Sequence, residues 1–547
     1  MAHATRPSLL ILLATLAPLA RGQQVSPQTR AERTDYKETS LYEDVIGFVE
    51  TLKARGAPLS MEYIGTSPSG RKIPMVVAAR PLPADRAEAR RLNRSIVCIQ
   101  ANIHAGEVEG KEAVLMLLRD LSAAPQGGGL LEKLVLIVLP IYNIDGNEKL
   151  GPQSRNRRHQ LGPEQVGMRY NGQGLDLNRD YVKLEAPETR AVAEHVFTTW
   201  DPDVFVDLHA TNGTLHGYQL TYSPPLHPDT VPCIQTYARD ELLIEGRKAM
   251  HARYGLHIFD YGNTPRWDFA DKPFGWYASA PLPRYSTNYV GLRNRISILS
   301  EAMSHLPFED RVGATYRFIR LILEKIAGDS ARVVELTRRA DLQVTTWGAE
   351  PQKAPELGVR FEFASRGREK VLLDRSETPE MRDRRPKNRP PGPPEDVVEF
   401  ETQIFDRFKA TRTRRFPSAY LFTENVPPVV ELLARHGIVV ERTRSTWRGP
   451  AESFKITAID RAERTYQGHK LLRLEGTFVS QEVTIPAGSC IVRTAQPLGI
   501  LAFQLLEPES LDGVAAWNLL DAHLQLGRPY PIVKCHQKIP VPTENWQ

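Results

Sequence analysis

The chain has 547 residues, which is too long for one ordinary hydrophobic core and predicts two or three domains. Hydrophobic residues make up 41% of it and charged residues 25%, as is usual for a globular protein in water. The formal net charge of +5 is small for this length, so composition excludes a strongly basic nucleic-acid-binding protein.

The first 22 residues have the pattern of a secretory signal peptide. Arg6 gives a positive start, an apolar run covers residues 9–19, and residues 20–22 (Ala-Arg-Gly) provide the small residues of a cleavage site. The apolar run is shorter than the roughly 20 residues that a membrane anchor needs. We therefore expect cleavage after Gly22 and a mature chain that is secreted or periplasmic, without stable membrane insertion. An uncleaved anchor or a tail is the alternative.

Short apolar strands alternate with amphipathic helices from about residue 40 to 335. The predicted strands are Ser95–Ile103, Leu134–Tyr142, Val204–Leu208 and Arg295–Leu299. The predicted helices are Glu109–Leu121, Ala186–Trp200 and most of Arg311–Ala340. This alternation predicts an α/β fold in which a central mixed, mostly parallel sheet is flanked by helices.

The sequence His104-Ala-Gly-Glu107 directly follows the first of these strands and opens a helix. Two side chains three residues apart at such a turn can face one point. Zinc takes nitrogen and oxygen donors at about 2.0–2.2 Å, and catalytic zinc sites have three protein ligands. The pattern predicts two metal ligands, although a charged helix start would give the same letters.

His209 is the best candidate for the third ligand. It follows the predicted strand Val204–Leu208, and open α/β sheets place their sites at the carboxyl ends of strands. His216 competes for this role, but His209 is preferred because its strand fixes its position. A histidine of the core or of a loop is the alternative.

Two further polar positions suit peptide hydrolysis. Asn178 and Arg179 are adjacent, and a planar guanidinium binds a carboxylate through two parallel hydrogen bonds while the amide adds another donor. Capture of a peptide's free C-terminus requires such donors. Glu301 follows the apolar run 296–299, and its carboxylate could take a proton from water activated by zinc. The plainer alternative for Asn178 and Arg179 is a surface turn with a salt bridge, and for Glu301 it is a solvated glutamate at the end of a strand.

These segments, in this order, resemble the carboxypeptidase A-like family of zinc metallocarboxypeptidases over roughly residues 40–335. The phrases GLDLNRDY (174–181) and LSEAMSH (299–305) are most similar to exported bacterial members. The resemblance implies a central mixed eight-stranded sheet and one Zn²⁺ ion. It implies the following site residues: His104, Glu107 and His209 as metal ligands, Glu301 as general base, and Asn178 and Arg179 as carboxylate ligands.

The resemblance also implies an arginine that polarises the scissile carbonyl and a tyrosine that covers the substrate. We assign the arginine to Arg157, with Arg155 and Arg158 as rivals. We assign the tyrosine to Tyr289, with Tyr285 as the alternative, although Tyr289 lies closer to Glu301 than is typical of the family.

The function implied is a metallocarboxypeptidase that hydrolyses the last bond of peptides with a free C-terminus. Similar residue sets occur in zinc-dependent N-acyl amino acid deacylases and in cell-wall peptide amidases, which stay open as alternatives. An inactive, binding-only relative is a third interpretation.

The domain prediction has four parts: a signal peptide (1–22), a catalytic domain (23–340), a connecting region (341–400) and a C-terminal module (401–547). The connecting region contains a proline-rich stretch, 376–396, which cannot pack a core. The C-terminal module is expected to be α/β or β-rich and carries no chemical motif. Cys490 and Cys535 both lie in it, and a bridge between them is permitted in an oxidising compartment.

Overall fold

A computed structural model describes residues 1, 26–124, 129–211, 213–265, 271–382 and 391–546. The signal peptide predicted at 1–22 falls almost wholly outside these residues, so its cleavage stays a prediction. Within the described chain, no helix is long and apolar enough to cross a bilayer.

The strands form one large sheet, one seven-stranded sheet and three small sheets. In chain order the strands of the described residues are β1 (Leu59–Thr66), β2 (Lys72–Ala78), β3 (Ser95–Ala101), β4 (Leu134–Leu139), β5 (Gly151–Pro152), β6 (Gln165–Val166), β7 (Val204–Ala210), β8 (Leu220–Ser223), β9 (Ile258–Asp260), β10 (Trp276–Tyr277), β11 (Ile296–Ala302), β12 (Glu356–Ala364), β13 (Gly367–Asp374), β14 (Val397–Phe405), β15 (Arg407–Arg415), β16 (Ala419–Phe422), β17 (Glu441–Thr443), β18 (Trp447–Arg461), β19 (Leu472–Ile485), β20 (Cys490–Arg493), β21 (Ile532–Cys535) and β22 (Thr543–Asn545).

The helices cover the large sheet and, later in the chain, pack beside the seven-stranded sheet. They are α1 (Arg30–Arg33), α2 (Tyr42–Ala54), α3 (Arg86–Arg91), α4 (Glu109–Ala123), α5 (Leu130–Lys133), α6 (Ile144–Glu148), α7 (Gln153–Asn156), α8 (Pro187–Val192), α9 (Pro232–Thr236), α10 (Ile244–Tyr254), α11 (Ser286–Leu292), α12 (Phe308–Gly328), α13 (Ser330–Ala349), α14 (Pro427–Arg435) and α15 (Gly499–Leu506). Two π-helical segments, Ala193–Trp200 and Tyr237–Leu243, continue α8 and α9.

The large sheet has eight strands in the order β1-β2-β4-β3-β7-β11-β8-β9. Its central strands β4, β3, β7 and β11 are parallel, whereas β2 and β8 run antiparallel to their neighbours β4 and β11. The strands β3, β4 and β7 are buried along their whole length, which explains their nearly continuous apolar sequences. The predicted mixed sheet flanked by helices is therefore confirmed.

The strands β3, β7 and β11 lie side by side, and their carboxyl ends meet at one edge of the sheet. The register pairs Ala101 with Leu208 and Glu301 with His209. His104 lies in the turn just beyond β3. Parallel pairing thus brings together segments that are far apart in sequence.

The chain after α13 is rich in strands. Within the predicted connecting region, β12 pairs with β15, and β13 pairs with β14. The strand β10 of the predicted catalytic domain pairs in parallel with β14, so the two parts of the chain share a sheet. The domain boundaries at 340 and 400 stay a prediction.

The C-terminal module is built on the seven-stranded sheet β19-β18-β21-β16-β20-β17-β22. The expectation of a β-rich module is confirmed. Its helix α15 is completely buried and contributes, with Phe416, to the same hydrophobic core as Val344 of α13. Cys490 and Cys535 are both free thiols, without a bridge between them.

Candidate metal centre and substrate cavity

Three side chains from different segments meet at the carboxyl edge of the sheet. Oε1 of Glu107 lies 3.0 Å from Nδ1 of His104, and Oε2 of Glu107 lies 3.0 Å from Nδ1 of His209. The two Nδ1 atoms are 3.2 Å apart. All three residues are buried, so the structure brings the predicted ligands to one point.

The spacing of these donor atoms fits a zinc ion. Ligands at about 2.0–2.1 Å from a tetrahedral zinc ion are separated from one another by about 3.3 Å. Two imidazole nitrogens that face each other at 3.2 Å repel unless a proton or a cation lies between them. Burial raises the pKa of Glu107, but the charges of His104 and Arg157 outweigh it and hold that pKa well below its usual range, so the carboxylate is ionised. The donor set therefore has the chemistry of a zinc site.

Each histidine is held from the outside by a carboxylate. Oδ1 of Asp176 lies 3.1 Å from Nε2 of His104, and Oδ2 of Asp207 lies 3.0 Å from Nε2 of His209. Because Nε2 is engaged in both rings, Nδ1 is the atom left for a metal. Neither carboxylate was predicted from the sequence. Alternation along a strand, which puts residues 207 and 209 on the same face of β7, could have identified Asp207.

Glu301 lies on β11 next to the strand that carries His209. Its side chain lines a cavity of about 400 Å³ that also contains His104, Glu107 and His209. Burial raises the pKa of Glu301 to about 8. The carboxylate is therefore more basic than a solvated glutamate and is placed beside the candidate metal centre.

Asn178 and Arg179 line the same cavity. Oδ1 of Asn178 accepts a hydrogen bond of 2.9 Å from the backbone N–H of Ser286, so its amide group is oriented by the protein. The guanidinium of Arg179 lies over the ring of Tyr285 at 4.5 Å and donates from Nε to the hydroxyl of Tyr466 at 2.9 Å. Its Nη1 donates to the carbonyl of Asn178, and its Nη2 has no partner within the described chain.

The structure does not bring Arg157 or Tyr289 to the cavity wall. Arg157 donates to Oε1 of Glu107 at 2.9 Å and to the carbonyls of Ala210 and Thr211, so its guanidinium is occupied by the protein. Tyr289 is completely buried, and its hydroxyl lies 2.9 Å from Nδ1 of His436. Tyr289 is therefore a residue of the protein core and does not face the substrate cavity.

His216, the competing metal ligand, also lies elsewhere. It forms an isolated bridge with Leu373, and its ring packs edge-on against Trp276 with a centroid distance of 5.8 Å. Burial lowers its pKa to about 3. It is a neutral histidine of the core.

Arg169 is a cavity residue that the sequence analysis did not identify. Its Nε and Nη2 bind Oδ2 of Asp176 at 2.9 and 2.8 Å, and its Nη1 lies 3.7 Å from Oε1 of Glu107. Arg169 precedes the run 174–181 in the same loop, and this position was the feature of the sequence that could have identified it.

Three tyrosines also line the cavity: Tyr261, Tyr277 and Tyr285, of which Tyr285 was the alternative to Tyr289.

Comparison with known sequences agrees with this geometry. Residues 46–262 match the model of the zinc carboxypeptidase family. Carboxypeptidase 2 of Trichophyton tonsurans is 26% identical over 493 residues, covering 86% of this chain and 81% of that protein. Carboxypeptidase 2 of Trichophyton rubrum is 25% identical over 516 residues, covering 90% of this chain and 86% of that protein.

Solved structures were also compared. A metallo-carboxypeptidase from Burkholderia cenocepacia aligns with a TM-score of 0.40 and 16% identity, covering 53% of this chain and 70% of its own. A metallo-carboxypeptidase from Pseudomonas aeruginosa aligns with a TM-score of 0.38 and 19% identity, covering 55% of this chain and 70% of its own. On the match to the family model and the two Trichophyton relatives, residues 46–262 form a domain of the zinc carboxypeptidase family, and the chain is a zinc metallopeptidase.

Proposed function

We propose that this chain is a metallocarboxypeptidase that releases the C-terminal amino acid from peptides. One observation carries the proposal: a single cavity contains the donor triad His104-Glu107-His209, the base Glu301 and the carboxylate-binding pair Asn178-Arg179. The donor triad and the base serve hydrolysis of an amide bond. The pair Asn178-Arg179 selects a substrate whose free carboxylate lies at a fixed distance from that bond.

The cofactor proposed is one Zn²⁺ per chain, held by His104, Glu107 and His209. When bound, zinc polarises a carbonyl and lowers the pKa of water to about 7. Asp176 and Asp207 keep the two imidazoles turned toward it through their Nε2 atoms.

Glu301 acts as the proton carrier of the reaction. Its carboxylate takes a proton from the attacking water and then delivers it to the nitrogen of the leaving amino acid, so the base is regenerated in each turnover. Its place in the cavity that contains His104, Glu107 and His209 suits this double role, because the carboxylate lies beside the proposed metal centre.

Arg169 takes the role first assigned to Arg157. Arg169 lines the cavity, and its Nη1 lies 3.7 Å from Oε1 of Glu107. A guanidinium there stabilises negative charge that develops on the scissile carbonyl oxygen. Arg157 instead binds Oε1 of Glu107 at 2.9 Å and does not line the cavity.

Arg179 and Asn178 bind the terminal carboxylate of the peptide. The free Nη2 of Arg179 and the amide Nδ2 of Asn178 supply donors, and Ser286 and Tyr466 fix the orientation of the two side chains. Tyr285, which lies under the guanidinium, is the candidate for the tyrosine that covers the substrate.

A panel of three substrates tests the function: a peptide with a free C-terminus, the same peptide amidated, and an N-acyl amino acid. We expect the zinc-loaded protein to release amino acid from the first at least tenfold faster than from the others. Preference for the N-acyl amino acid would support the deacylase alternative, and preference for cell-wall peptides in an added arm would support the amidase. Absence of turnover on every substrate would support the binding-only alternative.

We also propose that the chain is exported and processed after Gly22, on the sequence pattern of residues 1–22. N-terminal sequencing of protein recovered outside the cytoplasm should begin at Gln23. Recovery of the whole chain inside the cell, starting at Met1, would overturn this.

A further inference from the structure

A tight turn of the C-terminal module contacts residues of the site. Strands β18 and β19 form a long hairpin, and near its end Tyr466 and His469 exchange two backbone hydrogen bonds of 2.8 and 3.0 Å. The two central residues, Gln467 and Gly468, have φ of 50° and 83°. Consecutive positive φ values define a turn of the type that matches the twist of a hairpin. We call residues 466–469 the hairpin turn.

Gln467 is an unusual residue for the first central position of the hairpin turn. Glycine, asparagine and aspartate tolerate left-handed φ, whereas in other residues Cβ lies too close to the following carbonyl oxygen. Its Oε1 accepts a hydrogen bond of 2.9 Å from the backbone N–H of Asp176. The same Asp176 holds His104 and Arg169 through its carboxylate. The turn is therefore anchored to the loop that carries the site.

Tyr466, the neighbour of Gln467, contacts Arg179, a residue of the cavity wall. Its hydroxyl accepts the hydrogen bond from Nε of Arg179 at 2.9 Å, although the residue itself is 37% exposed. Arg284 lies over its ring at 5.5 Å, and Trp517 stacks against it at 6.3 Å. Asp512 in turn fixes Arg284 through a hydrogen bond of 2.7 Å. Arg284 also lies 4.7 Å from the ring of Trp517, so the three side chains pack together and restrain the ring of Tyr466, whose hydroxyl is an ordered acceptor.

This contact decides which edge of the Arg179 guanidinium is available. A guanidinium can bind a carboxylate along the Nε–Nη2 side or at the Nη1–Nη2 end. Tyr466 occupies Nε, so the first mode is blocked. Nη2 and the N–H of Nη1 that does not bind the carbonyl of Asn178 are left for a ligand. A free arginine would sample many rotamers and would lose this side-chain entropy on binding.

We propose that Tyr466 of the C-terminal module is a positioning residue for recognition of the substrate's terminal carboxylate, acting through Nε of Arg179. The inference rests on the proposed function of Arg179. It gives the C-terminal module a role in substrate selection: the peptidase domain supplies the arginine, and the module sets its orientation.

The test is Tyr466→Phe in the full-length, zinc-loaded chain, because phenylalanine keeps the ring stack and removes only the acceptor. For a peptide with a free C-terminus we expect KM to rise about tenfold, equal to about 1.4 kcal/mol, while kcat changes by less than about twofold. The slow cleavage of the amidated peptide should be unchanged. Affinity for the released amino acid, measured by titration calorimetry, should fall by the same factor.

The matched control is Tyr254→Phe, because Tyr254 is also 37% exposed and also lies beside an arginine, Arg317, at 5.6 Å from its ring. Its KM should equal that of the wild type. An unchanged KM and product affinity in Tyr466→Phe would overturn the inference while leaving the carboxypeptidase function intact. Equal losses on the free and amidated peptides, or a lowered melting temperature that explains the loss, would make Tyr466 a structural residue and would also overturn it. If the wild-type protein cleaved the free and the amidated peptide equally fast, the proposed carboxypeptidase function itself would be wrong.

Discussion

Oδ2 of Asp207 lies 3.0 Å from Nε2 of His209, two positions further along the same face of β7. Asp207 is itself fixed by Nε2 of Gln100 at 3.0 Å and by the hydroxyl of Ser286. One strand thus provides both a metal ligand and the group that orients it, and the pair remains aligned because the strand is buried on both sides.

Replacement of this orienting carboxylate should weaken zinc binding without removing a ligand. In Asp207→Asn the charge that increases the basicity of the imidazole is lost, and we expect zinc affinity to fall about 10- to 100-fold. Competition titration against a chelator measures it. Asp240→Asn, on an exposed aspartate, is the control. Wild-type affinity in Asp207→Asn would show that His209 is oriented by other contacts.

Substitution of the base should separate chemistry from metal binding. Glu301→Gln keeps the size of the side chain but cannot accept the proton, so kcat should fall by about 10²–10⁴-fold while the zinc content stays the same. Stopped assays and metal analysis on the same preparation measure both. Glu309→Gln, in the exposed first turn of α12, should have wild-type kcat. If Glu301→Gln kept the wild-type kcat, Glu301 would not be the general base.

The two arginines near Glu107 should respond differently to substitution. Arg169→Gln should lower kcat about 100-fold with little change in KM, because Arg169 lines the cavity and faces developing charge. Arg157→Gln should lower zinc affinity and the melting temperature, because it removes the guanidinium that binds Glu107 and the carbonyls of Ala210 and Thr211. The reverse pattern would restore the original assignment of Arg157.

Asp229 should make stability depend on pH. Its oxygens accept hydrogen bonds from the N–H of Gly358 at 3.0 Å and from Gln504 at 2.7 Å, which ties the loop after β8 to β12 and α15. Burial raises its pKa to about 7 in the folded protein. An unfolded aspartate has a pKa of about 3.9, so between these values the folded state binds more protons and stability falls as the pH rises.

This contribution amounts to at most about 1.4 kcal/mol per pH unit. The measurement is urea unfolding of wild type and Asp229→Asn at pH 5 and pH 8. Because asparagine does not titrate, the variant should gain stability relative to the wild type as the pH rises. A difference that is constant with pH would mean that Asp229 is ionised throughout.

Features encoded locally could be predicted from the sequence. The buried strands β3, β7 and β11 are visible as apolar runs, and the parallel alignment of their ends accounts for the convergence of His104, Glu107, His209 and Glu301. The eight-stranded mixed sheet follows from the same alternation, together with the family resemblance.

Features that depend on tertiary contacts could not be predicted in this way. Arg157 and Arg169 occur in similar polar loops, and only the folded chain shows that one binds protein carbonyls while the other lines the cavity. Tyr289 lies on a short helix whose burial is set by distant residues such as His436. Tyr466 is separated from Arg179 by 287 positions, so no local pattern connects them.

Restoration of activity by metal tests the central claim most directly. The full-length protein, stripped with a chelator and dialysed, is titrated with Zn²⁺ while release of the terminal amino acid from a peptide with a free C-terminus is followed. The account predicts no release from the stripped protein and a rise that ends at one zinc ion per chain. Undiminished release before any zinc is added would contradict it.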